Sequence, residues 1–348
     1  MKLTVAAENP LERLALALGL APITLMETHL SFLRARTIMV ATKLGVFDAL
    51  TTAPASAAGI AARCGTAPRP TEKLLNALVG CGYLAFTRDT YRLTRRARTW
   101  LTSDSPRSVR DKVLFEFIEW TLVERMEDYL RDGQPIEIHG GGSDDQWAPY
   151  QRAMRAISAL GADEVVRRTP VPRGAARMLD IGGSHGYLSV AMCRRYEGLT
   201  AVVLDLPAAA KHAAPILARE GMGSRVVHRA GDALRDDIGS AEWDIVFVSL
   251  LVHHFDEASN RALLQRIARA LRPGGVCVIL ELIRPAAPDQ AGQVGALLDL
   301  YYALTSASGT WSVDEMTRWQ VDAGLAPRRP IHLRTAPGAA EIIARKRR

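Results

Sequence analysis

The stretch that decides the fold is "RMLDIGGSHGYLSVAMCRRY", residues 177–196, in which an apolar run ends at an acid and a glycine cluster leads into a helical pattern. In a doubly wound α/β sheet, ligands lie at the carboxyl ends of the strands, in the crevice where the strand order reverses. Gly182, Gly183 and Gly186 lack a Cβ atom, so the backbone there can adopt positive φ and approach a ligand closely. The stretch therefore predicts a strand that ends at Asp180 and a ligand-binding turn after it.

Short apolar runs alternate with helical stretches through the rest of the chain. Strands that alternate with helices predict a parallel sheet covered on both faces, so the expected fold class is α/β, with a Rossmann-like doubly wound sheet. We expect the helix after Asp256 to end at Pro273, Gly274 and Gly275. The strand-like runs are "TAVVLDL" (200–206), "RVVHRAGD" (225–232), "DIVFVSLLV" (244–252) and "VCVILELI" (276–283).

The N-terminal segment has the pattern of a winged helix, in which two helices are followed by a β-hairpin. "YLAFTRDTYRLT" (83–94) reads as two short strands about a turn at Arg88 and Asp89. The elements predicted before it are a packing or dimer helix over 14–26, a helix over 27–50, a helix capped by Ser56 that runs through Ala62, a turn over 65–70 and a helix from Thr71 to Gly80.

The charge pattern bears on the use of this winged helix. The chain carries a net charge of +7, but its basic residues are scattered rather than gathered into runs. A second helix that enters a DNA major groove should be basic, whereas between Thr71 and Val79 only Lys73 is basic and Glu72 offsets it. We therefore favour dimerisation or another protein interaction over nucleic-acid binding.

Size and composition indicate an ordinary globular protein of more than one domain, with 348 residues, 48% of them hydrophobic and 23% charged. The four cysteines lie far apart without a C-x-x-C pair, so neither a zinc site nor a disulfide framework is predicted and a cytoplasmic location is expected. The apolar stretch 14–26 is shorter than the roughly 20 residues of a membrane span, so no membrane association is expected.

Two further acids follow the next two strands. "TAVVLDLP" ends in Asp205, where an acid can accept hydrogen bonds from both hydroxyls of a ribose, and "RAGDAL" places Asp232 to meet an adenine amino group. A dinucleotide fold would have G-x-G-x-x-G and a helix N-terminus facing a pyrophosphate, whereas this turn has G-G-x-x-G with a histidine inside it. The pattern favours a nucleoside without phosphate, and S-adenosylmethionine (SAM) is the expected cofactor.

The ordered segments DIGGSHG, LDLP, GDAL, VHHFDE, LRPGG and LELIRPAAPD resemble the SAM-dependent O-methyltransferases of the plant caffeate type and their bacterial natural-product relatives, over nearly the whole chain. The resemblance implies a homodimer with a small-molecule substrate, a winged-helix dimerisation domain over 1–105, a helical linker and lid region over 106–168, and a SAM-binding catalytic domain over 169–348. The cofactor contacts that it implies are Asp180, Gly182, Gly183, Ser184, Gly186, Asp205, Leu206, Gly231, Asp232, Ala233 and Ser249.

The same resemblance implies a catalytic pair. In this family a histidine after the fourth strand deprotonates the acceptor hydroxyl, and "LVHHFDE" puts His253 at that position, with His254 where the family usually has Asp. "VILELIRPAAPD" carries Glu281 where the family has a carboxylate that hydrogen-bonds the catalytic imidazole and orients it. Paired histidines can also bind a metal, but no third ligand stands nearby in the sequence, so no metal site is predicted.

Two positions depart from the family pattern. The family often has a second Glu just before the helix that starts at Ser312, where "SGTWS" has Thr310 and no acid. The Lys that commonly lies four residues before the catalytic His is Ser249 here. The acceptor can therefore differ in kind: a more acidic hydroxyl, a carbon nucleophile, or a reaction in which SAM is not the methyl donor.

Relatives build the acceptor pocket between the linker helices and the late helices. In this chain that region offers aromatic and sulfur-containing side chains, each of which is also an ordinary core residue type. The loop over 138–147 before Trp147 suggests a lid. The expected substrate contacts are Trp120, Trp147, Tyr150, Met154, His254 and Tyr302, and the wider candidate set adds Phe115, Phe117, Tyr301 and Trp311.

The hypothesis from the sequence is a cytoplasmic homodimeric methyltransferase that moves the SAM methyl group to a hydroxyl of a small aromatic or polyketide-like molecule. One alternative is C-methylation or a non-methylating SAM-binding enzyme on the same scaffold. A second alternative, from another class, is a winged-helix regulator of DNA that senses a ligand through its Rossmann-like half. The nearly neutral second helix argues against that regulator.

Overall fold

The computed structural model describes residues 3–136 and 144–348, with 144 and 145 described by their backbone alone. The chain forms two compact units, one that ends at Phe117 and one that begins at Ile118. The domain boundaries drawn from the sequence at 105 and 168 stay predictions. None of the helices among the described residues has the length and apolarity that crossing a bilayer requires.

The N-terminal unit is helical with one β-hairpin, which confirms the predicted winged-helix order. Ser56 caps its helix by accepting a hydrogen bond from the N–H of Gly59, and the hairpin turns at Arg88 and Asp89, whose φ angles are 50° and 59°. The elements are α1 (Pro10–Ala17), α2 (Ile23–Leu25), α3 (Ser31–Lys43), α4 (Ala57–Cys64), α5 (Pro68–Gly80), β1 (Leu84–Thr87), β2 (Thr90–Leu93), α6 (Arg95–Trp100) and α7 (Arg110–Val123), which runs into the second unit.

The prediction of one helix over 14–26 is wrong. α1 ends at Ala17, because Gly19 adopts a φ of 68° and Pro22 has no N–H with which to continue the helix. α2 then begins at Ile23 as a separate short helix. No residue of α1 or α2 is fully buried, although Leu16 and Ile23 are partly buried.

The prediction of one helix over 27–50 is also too long. The chain forms a wider π-type turn over Met26–Leu30, then α3, which ends before Gly45 at a φ of 76°. A separate short 3₁₀ turn covers Asp48–Leu50. The turn predicted over 65–70 is shorter than expected, because α5 begins at Pro68, whose fixed φ suits the first turn of a helix.

Within the described residues the second unit is built on a sheet of eight strands with helices on both faces. Its strands are β3 (Arg177–Ile181), β4 (Thr200–Asp205), β5 (Val226–Ala230), β6 (Trp243–Ser249), β7 (Leu271–Leu282), β8 (Leu325–Pro327), β9 (Ile331–His332) and β10 (Ala339–Lys346). Its helices are α8 (Met126–Asp132), α9 (Asp144–Arg168), α10 (Tyr187–Arg195), α11 (Pro207–Arg219), α12 (Glu257–Ala270), α13 (Gly292–Thr305) and α14 (Val313–Asp322).

The strand order β5-β4-β3-β6-β7-β10-β8 has a reversal at β3. From β3 the chain builds β4 and β5 on one side, and then returns to build β6 and β7 on the other, all of them parallel. Sheets of this kind bind ligands at the carboxyl ends of the strands beside the reversal. The glycine turn, residues 182–186, follows β3 at that point. The strand order confirms the predicted doubly wound sheet.

The C-terminal part of the sheet departs from the sequence-based expectation. β10 runs antiparallel to β7, and β8 and β9 pair with β10 antiparallel as well, so the sheet is mixed rather than wholly parallel. The helix α12 ends at Ala270, because Leu271 already has extended backbone, and Pro273 to Gly275 therefore lie inside β7. Of the loop predicted over 138–147, residues 144–147 belong to α9, and 138–143 lie outside the described residues.

Alternation along β6 explains why its central residues, 245–248, are all apolar. Ile245 and Phe247 are buried in one hydrophobic cluster, and Val246 and Val248 are buried in another. Successive side chains of a strand point to opposite faces, so a strand covered on both faces must be apolar at every position. The continuous apolar run thus indicates the helices that cover both faces of the sheet.

A buried carboxylate joins α9 to the segment between β9 and β10. Glu164 accepts hydrogen bonds from the backbone N–H groups of Arg334 and Thr335, from the Thr335 hydroxyl and from the Arg168 guanidinium, at 2.7 to 2.9 Å. Burial by itself raises the pKa of Glu164, but these hydrogen bonds outweigh it and lower the pKa to about 2. The ionised carboxylate therefore holds the C-terminal strands against α9.

We expect Glu164→Gln to lower the free energy of unfolding at pH 7 by about 1–3 kcal/mol, because it leaves buried backbone donors poorly paired. The folded-state pKa lies below the usual value of 4.5, so the contribution is fully present above pH 4.5 and is lost as the pH falls toward 2. Urea unfolding of wild type and variant at pH 7 and at pH 3.5 measures both effects. Glu127→Gln, which breaks an exposed pair with Arg131, serves as the control and should cost less than about 0.5 kcal/mol. An equal effect of the two substitutions would contradict the prediction.

Candidate active site

A cavity of about 240 Å³ opens at the carboxyl ends of β3, β4 and β6, beside the reversal in strand order. Its walls come from the glycine turn after β3, from the segments after β4, β5 and β6, and from the first turns of α9. The residues that line it are Trp147, Tyr150, Gln151, Ile181, Gly182, Ser184, Leu204, Asp205, Leu206, Gly231, Asp232, Ala233, Leu234, Leu250, Leu251, His254 and Phe255.

The glycine turn is packed so tightly that side chains cannot be added to it. Gly182 has a φ of 65°, and a Cβ atom there would lie 2.8 Å from the side chain of Leu251. A Cβ atom on Gly183 would lie 2.5 Å from the carboxyl group of Asp180 and 2.8 Å from Val203. Close packing therefore favours glycine at Gly183, and the positive φ favours it at Gly182.

Asp180 supports this turn from below and does not line the cavity. Its carboxyl group accepts a hydrogen bond of 2.7 Å from the hydroxyl of Ser189, while Oδ1 is buried without a partner. Burial raises the pKa of Asp180 to about 7, with the Ser189 hydrogen bond opposing the rise and the charge of Asp205 adding to it. Asp180 thus lies under the turn and outside the cavity lining, and its contact with a cofactor stays a prediction.

Ser184 is held in a left-handed conformation by contacts in three directions. Its φ is 55°, which costs a residue with a side chain more than it costs glycine. The N–H donates to Oδ2 of Asp205 at 2.8 Å, the hydroxyl donates to Oε1 of Gln151 at 2.6 Å, and the carbonyl accepts from Nε2 of His228 at 2.9 Å. The turn is therefore tied to β4, to α9 and to β5.

His185, the histidine inside the turn, is a structural link rather than a ligand-facing group. Its Nδ1 accepts a hydrogen bond of 3.0 Å from the N–H of Tyr187, so the proton is on Nε2, which lies 3.2 Å from the hydroxyl of Ser158 on α9. Burial, and then the charges of Arg155 and His228, lower its pKa to about 3 against an opposing hydrogen bond to the Met154 backbone. This buried neutral imidazole is a second tie between the turn and α9.

The two acids after β4 and β5 both line the cavity. Asp205 accepts hydrogen bonds from the N–H of Ser184 at 2.8 Å and from the N–H of Leu206 at 2.7 Å, one on each carboxylate oxygen. Burial raises the pKa of Asp205, while the two backbone hydrogen bonds and His228 oppose the rise. Each oxygen keeps a further lone pair, so the carboxylate can accept hydrogen bonds from a ligand as well.

Asp232 uses one oxygen in its own loop. Its Oδ1 accepts a hydrogen bond of 2.9 Å from the N–H of Leu234, and its Oδ2 lies 3.5 Å from Nε of Arg235. The backbone N–H of Asp232 in turn donates to Asp236. The loop is thus ordered by its own side chains, and Asp232 lines the cavity with acceptor capacity left on its carboxylate.

His253 and Glu281 form a buried pair next to the cavity. Nδ1 of His253 lies 3.0 and 3.1 Å from the two carboxylate oxygens of Glu281, and both side chains are buried. A carboxylate only accepts, so Nδ1 carries the proton and Nε2 is the basic nitrogen. The ring of Tyr302 stacks on the imidazole with a centroid distance of 4.2 Å and an interplanar angle of 2°.

His254, at the position of the usual Asp, has a contact of its own. Its Nδ1 lies 2.8 Å from the hydroxyl of Ser306, and its ring centroid lies 4.2 Å from that of His253. Because His254 lines the cavity, it connects the pair of His253 and Glu281 to the cavity wall.

The site of the missing second acid contains an acid from another element. The N–H of Thr310 donates to Oδ1 of Asp299 at 2.9 Å, and the Thr310 hydroxyl donates to the same oxygen. Asp299 lies on α13, eleven residues earlier in the chain, and the sequence analysis missed it. No local pattern marks it, because the contact depends on how α13 packs against the segment before α14.

The structure separates the predicted cofactor contacts into two groups. Seven of them line the cavity: Gly182, Ser184, Asp205, Leu206, Gly231, Asp232 and Ala233. The remaining four, Asp180, Gly183, Gly186 and Ser249, do not line it. Gln151 and His228, which the sequence analysis did not single out, hold the turn instead.

Among the expected substrate contacts, Trp147, Tyr150 and His254 line the cavity, whereas Trp120, Met154 and Tyr302 do not. Trp147 and Tyr150 meet edge to face with ring centroids 5.9 Å apart. The four residues of the wider candidate set lie in different places and do not line the cavity. Phe115 and Phe117 belong to the N-terminal unit, Trp311 donates its indole N–H to the carbonyl of Val252, and the hydroxyl of Tyr301 donates to Glu119.

Two family models match the chain. An O-methyltransferase dimerisation domain matches residues 26–103, which include the winged-helix elements, and an O-methyltransferase domain matches residues 133–320, more than half of the chain. The second match includes the glycine turn, both cavity acids and the His253–Glu281 pair.

Known proteins align with the chain over nearly its whole length. The 3-hydroxy-5-methyl-1-naphthoate 3-O-methyltransferase of Streptomyces sahachiroi is 28% identical over 341 residues, which are 93% of this chain and 94% of that protein. The N,N-dimethyltransferase OxyT of Streptomyces rimosus is 27% identical over 342 residues, with coverage of 94% and 98%.

A solved structure has the same fold. Human N-acetylserotonin methyltransferase, in complex with SAM, superimposes with a TM-score of 0.82 over 99% of this chain and 100% of that one, at 21% identity. The α/β methyltransferase sheet with a helical N-terminal domain is thus shared, and the domain models decide the family. The chain belongs to the O-methyltransferase family, and it is a methyltransferase whose cofactor is SAM.

Proposed function

We propose that the protein transfers a methyl group from SAM to a hydroxyl of a small aromatic or polyketide-like molecule, with His253 as general base and Glu281 as the group that orients it. The observation that carries the proposal is the buried contact of 3.0 Å between Nδ1 of His253 and Oε2 of Glu281, beside the cavity. An imidazole held by a carboxylate at one nitrogen offers the other nitrogen to a hydroxyl.

The cavity fits an adenosyl ligand. Asp205 and Asp232 offer acceptors at the ends of adjacent strands, suited to ribose hydroxyls and to an adenine amino group. The amide nitrogen of Gln151 is a buried donor without a partner in the same wall. When bound, SAM supplies a methyl group on a sulfonium centre, which makes that methyl electrophilic toward an oxygen nucleophile.

The chain's own residues move one proton in this proposal. Nε2 of His253 accepts the proton of the acceptor hydroxyl while the oxygen becomes the nucleophile. The imidazolium that forms donates through Nδ1 to Glu281, whose negative charge stabilises it without taking the proton. A free imidazole titrates near about 6.5 and a phenol near about 10, so proton removal must accompany methyl transfer rather than precede it.

The walls favour an aromatic acceptor in a dry pocket. Trp147 and Tyr150 bring aromatic faces to the cavity, and Tyr302 stacks against the proposed base. Methyl transfer between an oxygen with developing negative charge and a cation consumes charge, so exclusion of water favours it. The naphthoate acted on by the Streptomyces sahachiroi relative, by its name, is consistent with an aromatic acceptor.

A second candidate is transfer to nitrogen or carbon on the same scaffold. Thr310 replaces the second family acid and is engaged by Asp299, and one relative is named an N,N-dimethyltransferase. Incubation with methyl-labelled SAM and a panel of hydroxy- and amino-substituted naphthoic acids, followed by mass spectrometry, separates the two. Label found on nitrogen or carbon alone would overturn the proposed hydroxyl acceptor.

We expect Gly183→Ala to weaken the binding of S-adenosylhomocysteine (SAH), the demethylated cofactor, by at least about tenfold. The added Cβ meets the buried Asp180 carboxyl at 2.5 Å, so the turn must move toward the cavity, and tenfold corresponds to about 1.4 kcal/mol. Isothermal titration measures the affinity. Gly198→Ala is the matched control, since a Cβ atom there meets nothing within 4 Å. Unchanged affinity in Gly183→Ala would argue against the cofactor lying on this turn.

We expect His253→Ala to lower kcat by at least about 100-fold, because it removes a positioned base, while SAH affinity stays within about twofold of wild type. Glu281→Gln keeps the base but weakens a charged hydrogen bond worth about 1.5–3 kcal/mol, so a loss of roughly 10- to 100-fold follows. Methyl transfer to a hydroxynaphthoic acid is the assay. Activity of His253→Ala within about threefold of wild type would exclude the base role.

We further propose that the chain is a homodimer formed through its N-terminal unit. That unit matches the dimerisation model of the family, and neither α1 nor α2 has a buried residue. Leu30, Phe32 and Leu33 are 45% to 47% exposed. Apolar side chains gathered on one segment mark an interaction surface.

The double substitution Leu30→Asp and Leu33→Asp should convert the dimer to a monomer, because the two positions lie one turn apart on one helix face and a dimer would bury both charges. Size-exclusion chromatography with light scattering gives the mass. Leu130→Asp, at an exposed leucine of α8 outside the N-terminal unit, should leave the dimer intact. A monomeric wild-type protein would refute the homodimer.

A further inference from the structure

Gln151 is a buried side chain with one half of its amide unused. The residue has no exposed surface, lies on α9 and lines the cavity. Oε1 accepts the hydrogen bond from the Ser184 hydroxyl, whereas Nε2 has no partner. A buried donor without an acceptor costs about 1–3 kcal/mol, so an acceptor from a ligand is expected.

The contact distance fixes which half of the amide is unused. Ser184 Oγ and Gln151 Oε1 are 2.6 Å apart, which is usual for an O–H···O hydrogen bond and short for a nitrogen donor. The amide oxygen therefore faces Ser184, and Nε2 is the half of the amide that has no hydrogen-bond partner, in a residue that lines the cavity. Gln151 offers a ligand a donor, not an acceptor.

The other donors around the cavity are mostly engaged within the protein. In the glycine turn, the N–H of Gly182 donates to the Leu204 carbonyl, that of Ser184 to Asp205 and that of Gly186 to the Gly183 carbonyl. The N–H groups of Leu206, Gly231, Asp232 and Leu234 are also used by neighbouring groups.

The cavity is rich in acceptors and poor in cations. Asp205 and Asp232 supply carboxylates, and none of the described residues that line the cavity is a lysine or an arginine. In SAM the ribose hydroxyls and the adenine amino group can donate to those acids. The amino-acid carboxylate only accepts, so it needs a donor that is still available in the cavity wall.

The conformation of Ser184 is a second reason to expect that the Gln151 amide contacts a ligand. The residue keeps a side chain at a φ of 55°, where glycine would be less strained, and its hydroxyl is the group that orients Gln151. The strain is thus coupled to the direction of the Gln151 NH₂ group.

We propose that Gln151, oriented by the Ser184 hydroxyl, is the residue that recognises the amino-acid carboxylate of the cofactor through Nε2. The proposal rests on the placement of SAM in this cavity under the proposed function. It assigns a neutral amide to a role that a lysine or arginine would fill in a cation-lined site.

Comparison of two ligands tests the proposal by isothermal titration. SAH carries the amino-acid part, and 5′-methylthioadenosine is the same thioether nucleoside without it. We expect Gln151→Leu to weaken SAH binding by about tenfold, or about 1.4 kcal/mol, and to change methylthioadenosine binding less than about twofold. Gln151→Glu should weaken SAH binding further, because it sets a second negative charge against the carboxylate, and should again spare methylthioadenosine.

Two further variants separate recognition from folding. Gln320→Leu changes another fully buried glutamine, one that donates to the Ile342 carbonyl away from the cavity, and should leave both affinities unchanged. Ser184→Gly removes the hydroxyl and relieves the positive φ, so it should keep or raise Tm and yet weaken SAH binding without affecting methylthioadenosine.

The outcomes distinguish the carboxylate assignment from the placement of the cofactor. Equal losses for both ligands, or no loss for SAH, in Gln151→Leu would overturn the carboxylate assignment alone. If wild type bound neither ligand, the placement of SAM in the cavity would fall, and the assignment with it.

Discussion

The buried carboxyl group of Asp180 sets the geometry of the site. It lies under the glycine turn at the end of β3, where a Cβ atom on Gly183 would come within 2.5 Å of it. A side chain on Gly183 would collide with this group, so the carboxyl group constrains the backbone conformation of the turn. That conformation brings Ser184 to the point where α9, β4 and β5 each supply a hydrogen bond to it. The packing of Asp180 against one side of the turn therefore determines the position of Ser184.

The sheet sets the position of this turn relative to His253 and Glu281. β6 lies between β3 and β7, and Ser249 at the end of β6 pairs with Leu280 on β7. Glu281 therefore reaches the same edge of the sheet as His253, four residues after Ser249, and the two meet at 3.0 Å. Parallel strands in register thus hold the cavity wall and the pair of His253 and Glu281 at a set separation. The helix α9 adds the aromatic wall, and the turn that shapes the cavity also fixes α9 through Ser184 and His185.

Local sequence patterns were sufficient to predict the elements that neighbouring residues in the chain determine. The hairpin at Arg88 and Asp89, the cap at Ser56 and the runs of β3 to β7 follow from turn chemistry, capping and burial on both faces, and the structure confirms them. The secondary-structure predictions were wrong where contacts between distant parts of the chain determine the structure. β10 pairs antiparallel with β7, and β8 and β9 pair in turn with β10. The short segment between α1 and α3 has no core of its own to hold one continuous helix.

The sequence by itself determined the family, the cofactor and the identity of the pair His253 and Glu281, because these depend on residue types in a fixed order along alternating strands and helices. The tertiary structure alone decided that Asp180 lies under the turn and outside the cavity lining, that Asp299 lies beside Thr310, and that Gln151 keeps an unused donor in the cavity wall. Each of these depends on which side chains meet after packing from distant parts of the chain. Residue order cannot specify hydrogen-bond partners that lie on different elements, since the packing of those elements on one another selects them.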